Sequence, residues 1–281
     1  MAANSPEFSN LNAIEVEKTR SATGTDMAGT QVHPFYEMYF LLWGERRYFI
    51  GNRIYNVAPG NLVIIPKNEI HKTAALNRKG YDRYVVYFTE QSVAELKEKL
   101  GSLEFDRFER MGCIQFPPEH ARSLRNKMEK LANEFPDSDN LSLAMRHCLL
   151  YEIIITALRF GTTKNCAIDD GADKIQTAAK YISENYQSDI TLDSAAKMAC
   201  MERTYFSKKF KALTGLGFNS YLTQTRINAA KALLLSSKMS IGEISDACGF
   251  SGANYFGDLF TRRVGISPSE YRKRTGIDNK E

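Results

Sequence analysis

The stretch from Thr191 to Arg272 contains one sequence pattern written twice. The two copies share their apolar, aromatic and glycine positions. In the first copy these positions are Leu192, Ala195, Ala196, Ala199, Tyr205, Phe206, Phe210, Gly215 and Tyr221. In the second copy they are Ile241, Ile244, Ser245, Cys248, Tyr255, Phe256, Phe260, Gly265 and Tyr271. The offset is 49 residues at first and 50 from Tyr205 onward. Two copies are too few for a solenoid, so the pattern predicts two similar units within one domain.

Each copy has the layout of a helix, a turn and a second helix. Short apolar-periodic runs predict the first helices over 192–199 and 241–248. Gly249 suits a left-handed turn at the end of the first helix of copy two. Glu202 and Ser251 stand where the second helices would be capped.

The second helix of each copy carries two phenylalanines four residues apart. Phe206 and Phe210 in the first copy, like Phe256 and Phe260 in the second, lie on one helix face and predict its buried side. The residues between them are therefore predicted to face outward. In a helix-turn-helix unit that outward face is the one that enters the DNA major groove.

Longer blocks around these positions carry a family resemblance. They are Ala195-Ala196, the run 205–211, Arg226-Ile227-x-x-Ala230-x-x-Leu233-Leu234, Ile241-x-x-Ile244, and the run 249–272 with Gly265-Ile266-Ser267-Pro268. Over about 100 residues this order resembles the C-terminal domain of AraC/XylS-type transcription regulators. The resemblance implies a sequence-specific regulator without catalytic residues or cofactor that binds double-stranded promoter or operator DNA. It allows RNA polymerase as a further partner.

The resemblance also implies roles for individual residues. The family's base-facing positions fall on Thr204, Ser207, Lys208, Ala253, Asn254, Gly257 and Asp258. We expect Lys208 to reach guanine and Asn254 to bind adenine. The basic residues expected to contact phosphates are Arg203, Lys209, Lys211, Arg226, Arg262 and Arg263. For any one of these basic side chains, the alternative is a solvated surface charge.

The segment between the two units predicts a rigid connection. Residues 220–235 are rich in Ala and Leu and contain no Gly or Pro. One stiff helix would place the two second helices in adjacent major grooves, about 34 Å apart. Many family members carry Ser-Arg where this chain has Gly257-Asp258. Because an aspartate repels phosphate, we expect the second unit to contribute less affinity than the first.

Charge is unevenly distributed along the chain, whose net charge is +4. Residues 174–281 carry 16 Lys and Arg against 10 Asp and Glu, and the remainder carries 21 against 23. The basic part is typical of a polyanion-binding domain, although an ordinary solvated surface would also fit.

With no apolar run of membrane-spanning length and no signal pattern, we expect a cytoplasmic protein without membrane contact. The five scattered cysteines predict reduced thiols, with Cys200 and Cys248 in the apolar core.

The first part of the chain predicts a β-rich domain. Residues 1–29 are polar, which predicts an irregular N-terminal arm. Short β-prone runs over 31–88, separated by Gly and Pro, predict a small barrel or sandwich with a hairpin turn at Gly51-Asn52. The expected class is α+β, in two domains. The expected boundaries are an arm at 1–29, a ligand-binding domain at 30–160, a linker at 161–172 and a DNA-binding domain at 173–281.

A second resemblance lies in the β-rich part. His33-x3-Glu37, Gly44, and Pro59-Gly60-Asn61-Leu62 followed by Pro66-x4-His71 resemble the two cupin motifs. Strand alternation puts His33, Glu37 and Tyr39 on one face, so these three with His71 are the expected pocket for a sugar-like effector. Metal-binding cupins carry a further histidine where this chain has Gln31, so we expect no metal. A three-ligand metal site and an ordinary filled core are the alternatives.

Helices are predicted after the barrel. One covers 91–100 and an amphipathic helix covers 122–135. Another, beginning near Asp137, carries apolar residues at Leu143, Leu150, Ile154 and Ala157. These helices would either form a homodimer surface or simply pack on the barrel.

A ligand-responsive transcription regulator is the expected function. The alternatives are a cupin metalloenzyme with an appended DNA-binding domain and a DNA-repair methyltransferase-like protein. The latter would need a reactive cysteine motif that this sequence lacks.

Overall fold

The computed structural model of the chain describes residues 13–24, 26–27, 29–77, 79–134, 139–163 and 170–275. The chain divides into two compact units, Met1–Asp169 and Asp170–Glu281. The first unit contains β-sheets and helices and the second contains helices, which confirms the predicted two-domain α+β class. Residues 164–169 of the predicted linker lie outside the described residues. The second unit begins with a helix at Asp170, slightly earlier than predicted.

The strands of the first unit are β1 (Ile14–Thr23), β2 (Tyr36–Trp43), β3 (Arg46–Ile50), β4 (Arg53–Val57), β5 (Leu62–Ile65), β6 (His71–Ala75), β7 (Lys79–Phe88), β8 (Cys113–Gln115) and β9 (Thr162–Thr163). Within the described residues they form two antiparallel sheets. One has the order β1-β7-β2-β5-β8-β9, and the other has the order β4-β3-β6. The predicted hairpin joins β3 to β4, and Gly51 provides its left-handed turn residue with a φ of 59°.

Strand β2 separates two cores. Because successive side chains point to opposite faces of a strand, Tyr36 and Met38 face one side and Tyr39 and Leu41 face the other. Tyr36 and Met38 pack with helices on the outer face of the larger sheet. Tyr39 and Leu41 pack with Tyr48 of β3 from the smaller sheet. The two sheets thus enclose a barrel-like interior.

The arm predicted over residues 1–29 is in part a strand, which corrects that prediction. β1 pairs with β7 from Ile14 opposite Phe88 to Thr23 opposite Lys79. Ile14 is buried, and its carbonyl oxygen accepts a hydrogen bond from the Arg146 guanidinium. β1 lies at the edge of its sheet, where charged side chains are common because they prevent pairing with other chains. Its polar sequence therefore resembles that of an irregular arm. Residues 1–12 lie outside the described residues.

The helices of the first unit are α1 (Ala94–Leu100), α2 (Ser102–Glu109), α3 (Pro118–Asn133) and α4 (Asn140–Phe160). Leu150, Ile154 and Ala157 of α4 are fully buried in the core beneath the larger sheet. The packing alternative is therefore confirmed for these three residues, and the homodimer stays a prediction. Apolar spacing identifies a buried face without identifying its partner. By length and composition α4 could cross a membrane, but half of its apolar stretch is buried inside this unit.

The helices of the second unit are α5 (Asp170–Asn185), α6 (Leu192–Met198), α7 (Arg203–Thr214), α8 (Phe218–Ser236), α9 (Ile241–Ala247), α10 (Ala253–Val264) and α11 (Pro268–Thr275). Both predicted helix-turn-helix units are present, as α6 with α7 and as α9 with α10. The predicted connecting helix is α8. Reciprocal hydrogen bonds between side chains and backbone amides begin α6 at Thr191 and α9 at Ser240.

The second helices begin in two different ways. Glu202 caps α7 as predicted, because its carboxylate accepts a hydrogen bond of 2.9 Å from the Tyr205 amide. The predicted cap at Ser251 is wrong, since Gly252 precedes α10 with a φ of 157° and no side-chain cap. Cys248 is buried as predicted, but Cys200 is exposed, which corrects its assignment to the core.

Candidate functional site

Three buried side chains of the predicted pocket meet inside the barrel. His33 Nε2 lies 3.2 Å from Glu37 Oε2, and His71 Nε2 lies 3.5 Å from the same oxygen. His33 Nδ1 is 2.9 Å from the Phe35 carbonyl oxygen, and His71 Nδ1 is 3.0 Å from that of Glu69. A carbonyl oxygen can only accept a hydrogen bond, so each Nδ1 carries a proton. This arrangement points both Nε2 atoms at Glu37.

Glu37 is ionised in this setting. Burial alone would raise the pKa of its carboxyl group, but the hydrogen bond with His33 and the close contact with His71 outweigh burial and bring the pKa to about 2. Burial opposes the charged form of His71, but contact with Glu37 raises the pKa of His71 above its ordinary value. The carboxylate is therefore a permanent hydrogen-bond acceptor at this end of the interior.

The same three side chains form a donor set that suits a metal ion. Their ligand atoms all lie within 4.8 Å of one another. Two imidazoles and one carboxylate are ligands that zinc and ferrous iron accept. Gln31, which replaces the further histidine of metal-binding cupins, pairs through its backbone with His71. The donor number is three, and the same groups can equally hydrogen-bond a hydroxylated molecule.

Tyr39, the fourth predicted pocket residue, lies in the same interior beside Tyr48. Their ring centroids are 4.9 Å apart. Both hydroxyl groups are buried and lack a hydrogen-bond partner among the described residues. The Arg83 guanidinium lies 5.3 Å from the centre of the Tyr39 ring, and the Arg46 guanidinium lies 4.5 Å from that of Tyr81. The interior is therefore polar beyond the four predicted residues.

Three of these interior residues, Tyr48, Arg46 and Arg83, were missed by sequence reasoning. Their signal was the alternation of the strands that carry them. Arg46 and Tyr48 share a face of β3, and Arg83 shares a face of β7 with Val85, which packs in the interior. Arginines usually point to solvent, so sequence alone favoured the opposite orientation.

Helices α7 and α10 present equivalent faces. Phe206, Phe210, Phe256 and Phe260 are fully buried. Exposure along 203–212 repeats position for position along 253–262. The predicted base-facing residues all lie on the exposed or partly exposed sides of the two helices: Thr204, Ser207, Lys208, Ala253, Asn254, Gly257 and Asp258. The geometry leaves both faces accessible to a ligand.

The predicted phosphate-contacting residues differ in their surroundings. Lys211, Arg262 and Arg263 are exposed. Arg203 is also exposed, with its guanidinium 3.5 Å from the Asp193 carboxylate. The Lys209 ammonium lies 5.5 Å from the centre of the Tyr205 ring. These five side chains border the exposed helix faces.

Arg226 differs from the other five basic residues, because its guanidinium contacts other parts of the protein. Its Nε donates a hydrogen bond of 2.8 Å to the Tyr186 carbonyl oxygen, and its Nη2 donates one of 2.9 Å to that of Ser188. Its guanidinium also lies 6.0 Å from the centre of the Phe250 ring. Tyr186 and Ser188 precede α6, and Phe250 lies in the turn between α9 and α10. Arg226 therefore connects the two helix-turn-helix units, and its phosphate contact stays a prediction.

Comparison with known proteins gives a match for each unit. Residues 195–274 match a family described as a helix-turn-helix domain, and residues 19–148 match one described as an AraC-like ligand binding domain. The HTH-type transcriptional activator RhaR of Pectobacterium carotovorum subsp. carotovorum (strain PC1) is 25% identical over 244 residues, covering 86% of this chain and 85% of the relative. The uncharacterized HTH-type transcriptional regulator YijO of Escherichia coli (strain K12) is 38% identical over 111 residues, covering 36% of this chain and 39% of the relative.

Among solved structures, the C-terminal domain of AraT, a response regulator from Geobacillus stearothermophilus, is 31% identical. The similarity covers 38% of this chain and 90% of that one, with a TM-score of 0.37.

The chain belongs to the AraC family of transcription regulators. Its matches pair a ligand-binding domain with a DNA-binding domain, as the sequence resemblance implied. They support a transcription regulator over the metalloenzyme alternative.

One pair of aromatic residues repeats on the exposed side of the DNA-binding unit of this AraC-family regulator. Tyr205 and Tyr255 occupy equivalent positions of α7 and α10, and each exposes more than half of its side chain. Sequence reasoning used both only as markers of the repeat.

Proposed function

We propose that this AraC-family regulator binds an asymmetric operator, with α7 and α10 in adjacent major grooves about 34 Å apart. The proposal is supported above all by the matching exposure of 203–212 and 253–262. Two helices with the same buried side lie in one compact unit and are joined through α8. Each exposes the polar side chains that a base-reading helix needs.

The two helices read bases through different side chains. Lys208 on α7 donates to guanine O6 and N7, and Asn254 on α10 pairs with adenine N6 and N7. Thr204, Ser207, Ala253, Gly257 and Asp258 line the same faces. Arg203, Lys209, Lys211, Arg262 and Arg263 contact phosphates and so fix the register on the duplex.

The barrel interior binds a small hydroxylated effector of the sugar type. Glu37 accepts hydrogen bonds from ligand hydroxyls, while His33, His71 and Tyr39 complete the polar lining. Effector binding shifts the protein between two arrangements that differ in DNA affinity, which requires different effector affinities in the two arrangements. Because the RhaR relatives are named transcriptional activators, we propose that this chain activates transcription.

The regulator acts in the cytoplasm as a homodimer and engages RNA polymerase at its promoter. The dimer surface is placed on α4, on the side opposite its buried face. Leu141 exposes 79% of its surface there, and Met145 exposes 50% one helical turn later. Solvent-exposed apolar side chains at this spacing suit a helix-to-helix contact.

Footprinting of promoter DNA tests the proposal. We expect protection of two major-groove segments one helical turn apart, and protection of only one groove would contradict the geometry. In fluorescence anisotropy, Lys208→Ala is expected to weaken binding by about 1–3 kcal/mol and to relax specificity at one base pair. Lys180→Ala, a change to an exposed lysine of α5, is the matched control and should leave binding unchanged.

Metal analysis of the purified protein separates the regulator from the metalloenzyme alternative. We expect DNA binding and its effector response to survive a chelator. One tightly held ion per chain that depends on His33, Glu37 and His71 would favour the alternative.

A further inference from the structure

The polar side chains inside the barrel follow one line, from an acidic end to a basic end. Along β2, Glu37, Tyr39 and Leu41 face inward in succession, and Leu41 pairs with Arg83 of β7. Along β3, Ile50 pairs with His71. Four residues separate Glu37 from the level of Arg83, which is about 13 Å at the rise of an antiparallel strand. The Glu37 end and the arginine end therefore lie at opposite ends of this line.

The middle of this line holds unused hydrogen-bonding capacity. The hydroxyl groups of Tyr39 and Tyr48 are fully buried and have no partner among the described residues, and neither does Arg83 Nε. A buried polar group without a partner costs roughly 1–3 kcal/mol. A bound molecule with hydroxyl groups at this position would remove that cost. The arrangement therefore points to a polar ligand in the interior.

The basic end carries two buried guanidinium groups. Arg46 is 2% exposed and Arg83 is 9% exposed. Arg46 Nε donates to the Thr73 hydroxyl at 3.2 Å, and both guanidinium groups lie beside the Tyr81 ring. Among the described residues, the carboxylate contact of Arg83 is a single one, to half-exposed Glu17 at 3.8 Å. The buried charge of Arg83 therefore has room for a closer counter-charge, and a guanidinium matches a carboxylate through two parallel hydrogen bonds.

We propose that the effector is a sugar acid, a polyhydroxylated molecule with one carboxylate. The carboxylate binds Arg46 and Arg83, the hydroxyls bind Tyr39 and Tyr48, and the far end binds Glu37 and His71. This inference rests on the proposed function, in which the barrel interior is the effector site. It goes further by assigning the charge of the ligand and its direction in the barrel. Glu37 is already flanked by two imidazoles, so it is not the counter-charge of the distant Arg83.

Calorimetric titration of the full-length protein tests the inference with matched pairs of compounds. The acids are D-gluconate, D-glucuronate, D-galactonate and D-galacturonate. The neutral partners are D-sorbitol, D-glucose, galactitol and D-galactose. We expect at least one acid to bind at least about tenfold more tightly than its neutral partner, a difference of about 1.4 kcal/mol. Equal or weaker binding by every acid would overturn the inference. Acetate controls for binding of a bare carboxylate.

Three variants test whether the ligand binds inside the barrel. Arg83→Gln is expected to lower the affinity for the acid at least tenfold and to leave the affinity for its neutral partner unchanged. Arg47→Gln is the matched control, because Arg47 lies on the opposite face of β3 and contacts the Asn56 side chain. Tyr48→Phe removes only the unpartnered hydroxyl, so it should raise the melting temperature of the ligand-free protein and lower acid affinity. Full acid affinity in both Arg83→Gln and Tyr48→Phe would overturn the proposed site.

The same titrations separate failure of this inference from failure of the proposed function. If neutral sugars bind as tightly as the acids and alter DNA affinity, the effector function stands and the assigned ligand charge is wrong. If an acid binds through Arg83 but leaves DNA affinity unchanged, the pocket stands and the regulatory role is wrong.

Discussion

Cys200 and Gly249 occupy the same position of the two helix-turn-helix units, and both have a left-handed backbone. Their φ angles are 49° and 76°. The position follows the first helix of each unit and turns the chain toward the second. Glycine adopts this conformation without steric cost, whereas a side chain bearing a Cβ atom disfavours it by roughly 1–2 kcal/mol. The repeat therefore contains one relaxed and one strained copy of the same turn.

Cys200→Gly is expected to stabilise the protein, by up to about 1 kcal/mol, because relief of strain exceeds the entropy that glycine adds to the unfolded chain. Gly249→Ala is expected to destabilise it by more than this. A Cβ atom on Gly249 would lie 2.5 Å from the Gln187 carbonyl oxygen, a backbone atom that cannot simply rotate away. Urea unfolding of both variants measures the difference. If the two substitutions change the free energy of unfolding by the same amount, the two turns are under equal constraint.

Arg226→Gln distinguishes a structural arginine from a phosphate contact. The guanidinium holds the Tyr186 and Ser188 carbonyl groups beside Phe250, so its loss should lower stability by about 1–3 kcal/mol. DNA affinity should fall while the dependence of log affinity on log salt keeps its slope. Arg262→Gln is the comparison, because loss of one phosphate contact reduces that slope by about one unit. A reduced slope for Arg226→Gln would place this residue in the DNA-contacting set.

Asp258→Asn is expected to tighten DNA binding. Asp258 is exposed on α10, on the face proposed to lie in the groove, where a carboxylate repels phosphates. Replacing it with the neutral amide should strengthen binding to most sequences, and more strongly at low salt because screening is weaker there. Anisotropy titrations over a series of unrelated duplexes measure the change. Weaker binding to every duplex would contradict the expected repulsion.

The repeat explains why the second unit was predictable from sequence and the barrel interior only in part. The same spacing occurs in both copies, so Phe206 and Phe256 predict the same buried face. That face in turn defines the exposed faces of α7 and α10. In the barrel, His33, Glu37 and His71 were recognised through motif spacing, and the structure brings them together. Arg46 and Arg83 were not recognised, because their inward orientation depends on pairing between strands that are distant in sequence. Long-range pairing with β7 also makes β1 a strand, although the sequence of β1 is polar.

The stability of the first unit should fall in acid partly through Glu90. Burial raises the pKa of its carboxyl group, but hydrogen bonds from Lys67, Lys97 and Tyr36 outweigh burial and lower the pKa from 4.5 to about 2. The carboxylate is thus more acidic in the folded than in the unfolded chain. Its contribution is fully present above pH 4.5 and is lost as the pH falls from there toward 2. Because its side chain is 43% exposed, that contribution is only about 1 kcal/mol.

Glu90→Gln should therefore lower the free energy of unfolding at pH 7 and flatten its decline between pH 4.5 and 2. Glu95→Gln is the matched control, since Glu95 pairs with Lys99 one helical turn away and both side chains are largely exposed. Urea unfolding at a series of pH values measures both variants. If Glu90→Gln keeps the wild-type decline in acid, other carboxyl groups are responsible. Glu109 is then the next group to replace, because its carboxylate lies 2.6 Å from the Tyr36 hydroxyl.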